Sequence, residues 1–241
     1  MNSPVTARRV ERVRHELKRR RLTVARVDTL TPHFRRITFT DESLSDFVSA
    51  SFDDHIKVFV DDARRDYTPR SFDNAARELV IEFALHGHGP AAAWAAQAAP
   101  GHTLDIGGPK GSMIVPLDYD WHLLVGDETA FPAVARRLEQ LPAGARAIVI
   151  LQAADAADRR VFDSAANVDL TWVETDAQLQ AAVRALALPA GEGYAWCAGE
   201  AAAMAALRRE LVDVKGHPRD AIRAAAYWKR GATGHHENLE G

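Results

Sequence analysis

Near residue 118 the spacing of the apolar residues changes, and that change constrains what the chain can fold into. Upstream, apolar side chains recur mostly at every second position in short runs. Leu22, Val24 and Val27 are followed by Phe34, Ile37 and Phe39, then by Ile56, Val58 and Val60. Leu79, Ile81, Phe83 and Leu85 alternate with Val80, Glu82, Ala84 and His86, and a last short run covers 103–106. Alternation puts one apolar face on each segment, as a half-buried strand requires. Thr31 and Pro32 punctuate the first two runs as a turn. Several short strands at this spacing predict a small antiparallel β-barrel over residues 21–118. One helix interrupts it over 90–99, where alanine dominates and Pro100-Gly101 stops the helix.

Downstream, apolar runs at 123–125, 147–151, 168–173, 193–198 and 222–228 alternate with helix-like stretches at 132–141, 176–186 and 201–212. Asp176 is the expected cap of the middle helix. This alternation predicts a mostly parallel sheet with helices on its faces, over residues 119–241 including a C-terminal tail. The fold class is therefore α+β with two domains, an antiparallel β-barrel followed by an α/β parallel-sheet domain, with the boundary near residues 116–120. Ligands of such sheets lie at the carboxyl ends of the strands. Residues 1–20 form a basic helix or extension, because Arg8, Arg9, Arg12, Arg14, Lys18, Arg19 and Arg20 crowd there, with Arg21 next. Such a run is either a solvated face or an anion-attracting patch.

Composition removes several classes. The net charge of −3 argues against a dedicated nucleic-acid binder, which would be clearly basic. Cys197 is the single cysteine, so neither an internal disulfide nor a cysteine-ligated iron–sulfur or structural zinc site can form. No apolar run approaches the roughly 20 residues needed to span a bilayer. The N-terminal arginines have no apolar segment behind them, unlike a secretory signal. A cytoplasmic protein without a membrane partner is the expectation.

Six local patterns carry possible chemistry. In the extended run Arg65-Asp66-Tyr67-Thr68-Pro69-Arg70, Arg65 and Tyr67 point the same way. The arginine can fork a phosphate, the tyrosine can lie on a flat ring, and Thr68 can bond to a ring nitrogen. His86-Gly87-His88-Gly89-Pro90, with Ala91 and Trp94 behind it, joins a strand to a helix and either cradles a phosphate or is an ordinary turn. Gly107-Gly108-Pro109-Lys110-Gly111-Ser112 is a close-approach loop or a plain turn. Gly126-Asp127-Glu128-Thr129-Ala130-Phe131-Pro132 occupies the first strand-to-helix turn of the second half but lacks the Gly-x-Gly-x-x-Gly fingerprint. Its two acids would repel a phosphate, so they are expected to point elsewhere or to cap the helix. Trp196-Cys197-Ala198-Gly199-Glu200 repeats the strand–glycine–helix pattern, and Tyr227-Trp228-Lys229-Arg230-Gly231 sets aromatics beside cations.

In order and spacing these patterns resemble the siderophore-interacting proteins, ferric-chelate (ferric-siderophore) reductases of the ferredoxin-reductase-like group. The match runs from about residue 21 to 231. The resemblance implies a barrel that binds FAD, an α/β domain that binds NADPH or NADH, and an oxidoreductase passing electrons through the flavin to a ferric siderophore, releasing Fe(II). No catalytic triad is then required. Arg65 and the turn of His86, Gly87 and Gly89, with Pro90, Ala91 and Trp94, would hold flavin phosphates. Tyr67, Thr68 and Pro69 would meet the isoalloxazine. Gly108, Lys110, Gly111 and Ser112 would line the flavin from the other side, and Trp228 would shield its face. Asp127, Glu128, Thr129, Ala130, Ala198, Gly199 and Glu200 would border the nicotinamide cofactor. Lys57, Lys229 and Arg230 would steer an anionic siderophore. Arg159 and Arg160 lie where a 2′-phosphate is often read, while Asp155 and Asp158 would favour a ribose hydroxyl. A ferredoxin as donor, a general flavin reductase and a non-catalytic siderophore-binding module are the alternatives.

Overall fold

The computed structural model describes residues 9–85 and 89–232 and the backbone of Glu237–Asn238. The expected phosphate-turn residues His86 and Gly87 lie outside them. The first half is a seven-stranded antiparallel sheet built from β2 (Arg19–Thr31), β3 (Phe34–Thr40), β4 (Ile56–Val60), β5 (Ala63–Tyr67), β6 (Pro69–Asp73), β7 (Glu78–Ala84) and β8 (Thr103–Gly107), in the order β5-β4-β8-β2-β3-β7-β6. Its two edge strands, β5 and β6, are consecutive in the chain, with only Thr68 between them. The sheet must therefore curl until its edges meet at that residue. No ladder joins β5 to β6 among the described residues, so the expected barrel is closed by a covalent corner rather than by hydrogen bonds.

The period-two pattern explains the core. Leu22, Val24, Ile37, Phe39, Ile56, Val58, Leu79, Ile81, Phe83 and Ile106 all turn inward and are buried. Each contributes about 1.5–3 kcal/mol by leaving water. Helix α1 (Pro90–Gln97) packs Ala91 and Ala95 onto this core, and its Trp94 stacks on Phe39 at 6.1 Å. Strand β5 escaped the alternation argument because its sequence, ARRDY, is charged. It forms because Asp61, at φ 49°, makes a tight hairpin possible after β4.

From residue 9 onward the N-terminal segment is an extension, the second of the two expected forms. Strand β1 (Glu11–Arg14) pairs with β9 (Gly111–Ile114) in a separate two-stranded ladder. Four cations of the basic run are paired with acids from distant parts of the chain. Arg9 pairs with Asp118 and with Glu192 (2.7 Å), Lys18 and Arg20 with Asp46 (2.5 and 2.6 Å), and Arg21 with Asp105 (2.8 Å).

The second half is a six-stranded sheet in the order β12-β11-β10-β13-β14-β15. It comprises β10 (Trp121–Gly126), β11 (Arg146–Gln152), β12 (Asn167–Val173), β13 (Gly193–Glu200), β14 (Ile222–Trp228) and β15 (Glu237–Asn238). It is parallel up to β14, and β15 runs antiparallel. The strand order reverses between β10 and β13, which is where such sheets bind ligands. Helix α2 (Phe131–Gln140) covers the face turned toward the first half, where Phe34 stacks on Phe131 at 5.6 Å and Phe52 meets Trp196. Helices α3 (Asp176–Ala185) and α4 (Ala201–Arg209) cover the other face. Helix α3 is capped by Thr175, whose hydroxyl accepts from Gln178 N at 3.2 Å, and not by the expected Asp176. No helix among the described residues is long and apolar enough to cross a membrane.

Candidate cofactor site

The Thr68 corner gathers the first predicted constellation. Strand alternation sends Arg65 and Tyr67 to one side and Asp66 to the other. Arg65 donates to the Arg64 carbonyl at 2.9 Å and has no salt bridge among the described residues. The Tyr67 ring rests on Phe83, with centroids 4.5 Å apart, and burial pushes its phenol pKa upward. Thr68 is buried, and the Tyr227 phenol of β14 faces its hydroxyl. Lys57 sits opposite Asp66 in the β4–β5 register and pairs with it at 2.6 Å, so its charge is offset. Arg70 turns away to Glu139 and to the fully buried side chain of Glu82, which also binds Arg36 (2.7 Å) and Arg160 (2.9 Å).

The other barrel motifs are placed less uniformly. Gly89 caps α1, with Pro90 following, and a Cβ built there would meet none of the described residues within 4 Å. Ala91 and Trp94 instead pack into the barrel core. Lys110 is exposed. Gly108 has φ +95° and precedes a cis proline. A Cβ on Gly111 would lie 2.4 Å from the Val13 carbonyl, because β1 roofs this loop. Ser112 is buried under the same roof, donating to Asp54 at 2.6 Å and meeting His15 Nε2 at 2.7 Å.

At the reversal point of the parallel sheet, Asp127 is a hub. Its carboxylate accepts from Thr129 N (2.9 Å), Thr129 Oγ1 (2.5 Å), Glu200 N (3.0 Å) and Trp228 Nε1 (2.7 Å). Complete burial pushes its pKa up to about 6. The two strand ends are pinched together around it. A Cβ on Gly199, at φ +153°, would lie 2.5 Å from Asp127 Oδ2, and one on Gly126 would lie 2.5 Å from the Ala198 carbonyl. The acids do cap or point elsewhere. Glu200 accepts from Ala202 N (2.7 Å) and Ala203 N (3.1 Å) at the start of α4, and Glu128 accepts from Ala154 N (2.6 Å). Ala130 is buried beneath the turn, and Ala198 is buried two residues before the end of β13.

Trp228 stays partly exposed, with its indole N–H tied to Asp127. Lys229 and Arg230 border an open cleft of about 580 Å3 with Asp176, Gln180 and Glu200, and Arg230 pairs with Asp176 at 3.2 Å. In the loop after β11 residues 154–157 are exposed, but the side chains expected to read the cofactor are engaged by the protein. Arg160 is drawn between Phe34, Phe131 and Phe162 and onto Glu82. The buried Asp158 accepts from Thr31 Oγ1 (2.6 Å), while Arg159 pairs with Glu174 (2.9 Å) and Asp155 caps its own turn. Sequence reasoning missed Gln152, whose buried side-chain oxygen at the carboxyl end of β11 has no partner among the described residues. It also missed Arg136, a helix residue that enters the barrel half. Only the final position of Gln152 in a buried strand hinted at a site.

Comparison with known proteins returns the same two halves. The family model described as "Siderophore-interacting protein" matches residues 119–231, and "Siderophore-interacting FAD-binding domain" matches residues 23–64 and 60–113. The chain is 35% identical to an NADPH-dependent ferric-chelate reductase of Escherichia coli, over 92% of this chain and 98% of that one. It is 31% identical to the ferric vibriobactin reductase ViuB of Vibrio cholerae, over 92% of each. A siderophore utilization protein from T. fusca superposes with a TM-score of 0.87 at 33% identity, covering 94% of this chain and 98% of that one.

Proposed function

Because the chain belongs to the siderophore-interacting protein family, we propose that it is an FAD-dependent ferric-siderophore reductase driven by NADPH or NADH. The observation that carries this reading is the meeting of two crevices. The Thr68 corner of the curled sheet lies against Tyr227, one residue before Trp228, which is bonded to Asp127 at the reversal point of the parallel sheet. Two flat cofactors held at these crevices would be neighbours.

The residues present fit both groups. Arg65, free of carboxylates among the described residues, and the N-terminus of α1 at Gly89 suit the flavin's phosphates. Tyr67 supplies a rigid aromatic surface and Thr68 a hydroxyl. Lys110 is the exposed cation of the neighbouring loop. Gly126 and Gly199 let the two strand ends close tightly around Asp127 beneath the nicotinamide crevice. The orphaned Gln152 oxygen suits a ribose hydroxyl. Bound FAD supplies the redox chemistry, accepting electrons in pairs and donating them singly. Asp127 holds the Trp228 indole at the crevice mouth. Lys229 and Arg230 draw an anionic iron chelate inward, with Lys57 weakened by Asp66. Hard oxygen donors of a siderophore prefer Fe(III), so the reduced metal is released. On this reading residues 21–118 serve FAD, residues 119–241 serve the nicotinamide, and the reaction runs in the cytoplasm.

The test is an absorbance spectrum of purified protein offered FAD, then anaerobic titration with NADPH and addition of a ferric siderophore. The expected result is a yellow protein that bleaches and reduces the chelate far faster than it reduces free flavin or a dye. Faster reduction of free flavin would instead mark a general flavin reductase, reduction only by added ferredoxin would change the donor, and a protein that takes up no flavin would sink the proposal.

A further inference from the structure

Helix α2 begins at the turn that carries Asp127 and Thr129, yet two of its arginines leave the parallel-sheet half. Arg136 is buried and makes no salt bridge among the described residues. Its Nη1 donates to the Pro69 carbonyl at 2.8 Å and to Ser49 Oγ at 2.9 Å, and its Nη2 donates to the Ser49 carbonyl at 3.2 Å. A guanidinium buried without a contacting carboxylate is costly to desolvate, and its fixed fork makes it a template for the oxygens it meets. Two of those oxygens belong to Ser49, in the segment before β4. The third is the first carbonyl of β6, directly after Thr68.

That carbonyl matters because of the topology. The edges of the curled sheet are not laddered to one another among the described residues: Tyr67 pairs with Ile56 on β4 and Pro69 with Ile81 on β7, so the two sides of the corner are held by different strands. Arg136 adds a restraint from outside the barrel, at the carbonyl where β6 begins. Ser49 Oγ donates in turn to Asp54 Oδ2 at 2.9 Å, so the corner, the Ser49 segment and α2 form one hydrogen-bonded unit.

We infer that Arg136 is a positioning residue for the flavin: without touching it, Arg136 sets the Thr68–Pro69 corner and so presents Tyr67 and Thr68 in binding geometry. This inference rests on the reading of that corner as the flavin site. It makes flavin affinity a property of both halves of the chain.

Arg137, the next residue of the same helix, provides the control. It is equally buried but donates to the carbonyls of Val115 and Pro116 at 3.1 and 2.6 Å, away from the corner. Arg136→Met and Arg137→Met should therefore lose comparable thermal stability, while only Arg136→Met loses flavin. The Kd for FAD, measured by quenching of flavin fluorescence on adding apo protein, should rise at least about tenfold in Arg136→Met, the worth of one hydrogen bond to a charged group. At saturating FAD its bound-flavin absorption bands should also shift relative to wild type. Arg137→Met should keep both the wild-type Kd and the wild-type spectrum. Should Arg136→Met fail to fold, Arg136→Lys, which retains charge but not the fork, should show the weakened Kd and the shifted bands. Wild-type flavin binding in whichever Arg136 variant folds would overturn the inference, as would an equal loss in Arg137→Met. Absence of FAD binding in the wild type would instead overturn the reading of the site itself.

Discussion

A single carboxylate ties three elements together at the reversal point. Asp127 accepts four hydrogen bonds, from the turn after β10, from the end of β13 and from the last residue of β14. An amide in its place would turn an NH2 group toward one set of these donors. A buried donor left without an acceptor costs roughly 1–3 kcal/mol. Asp127→Asn is therefore expected to lower unfolding free energy by about 2 kcal/mol in a denaturant titration and to increase acrylamide quenching of tryptophan fluorescence, because Trp228 loses its anchor. The acid's role as a cap was legible in the sequence, since two acids cannot comfortably face a phosphate. Its bond to Trp228, about a hundred positions later, was not, because nothing local marks which donor a buried carboxylate will meet.

At the scale of elements, legibility followed burial. Strands with one face in a core, such as β3 and β7, announced themselves through alternation. Edge strands did not. β5 and β6 carry charged residues because one side of each meets solvent or ligand rather than a core, and β1 exists only because β9 offers it a partner. The cap of α3 was missed by one position, as Thr175 and Asp176 are both acceptable caps. Thr175→Ala should cost about 1 kcal/mol in chemical denaturation, whereas Asp176→Ala should cost less and chiefly release Arg230. Nothing in the sequence around Arg136 and Arg137 marks them as interior, and only the docking of the two halves reveals that they are.

The whole molecule carries several imidazoles in water-poor places. His122 is fully buried beside Arg137, and desolvation drives its pKa down to about 4. Burial also lowers His55 and His217. A histidine that titrates lower when folded leaves the unfolded chain holding more protons, so its contribution is intact above pH about 6.5 and fades as pH falls toward 4. Asp127, raised to about 6, acts in the opposite sense, stabilising in acid and losing that contribution as pH climbs. The clean test compares variants: replacing His122 with Gln should shrink the stability lost between pH 6.5 and pH 5 by about 2 kcal/mol, read from melting curves at each pH. An unchanged pH response would mean that His122 stays neutral in both states.

The outer edges of β5 and β6 carry no ladder among the described residues, and only part of the β6 edge is covered, by Arg136 of α2. Any exposed row of amide donors and carbonyl acceptors is a template for a foreign strand. A prosthetic group lodged at that seam would act as a stopper as well as a redox centre. Flavin-stripped protein should accordingly self-associate in a concentration-dependent way, visible by light scattering, and adding FAD back should suppress it. Iron acquisition and colloidal stability would then share one gap in a sheet.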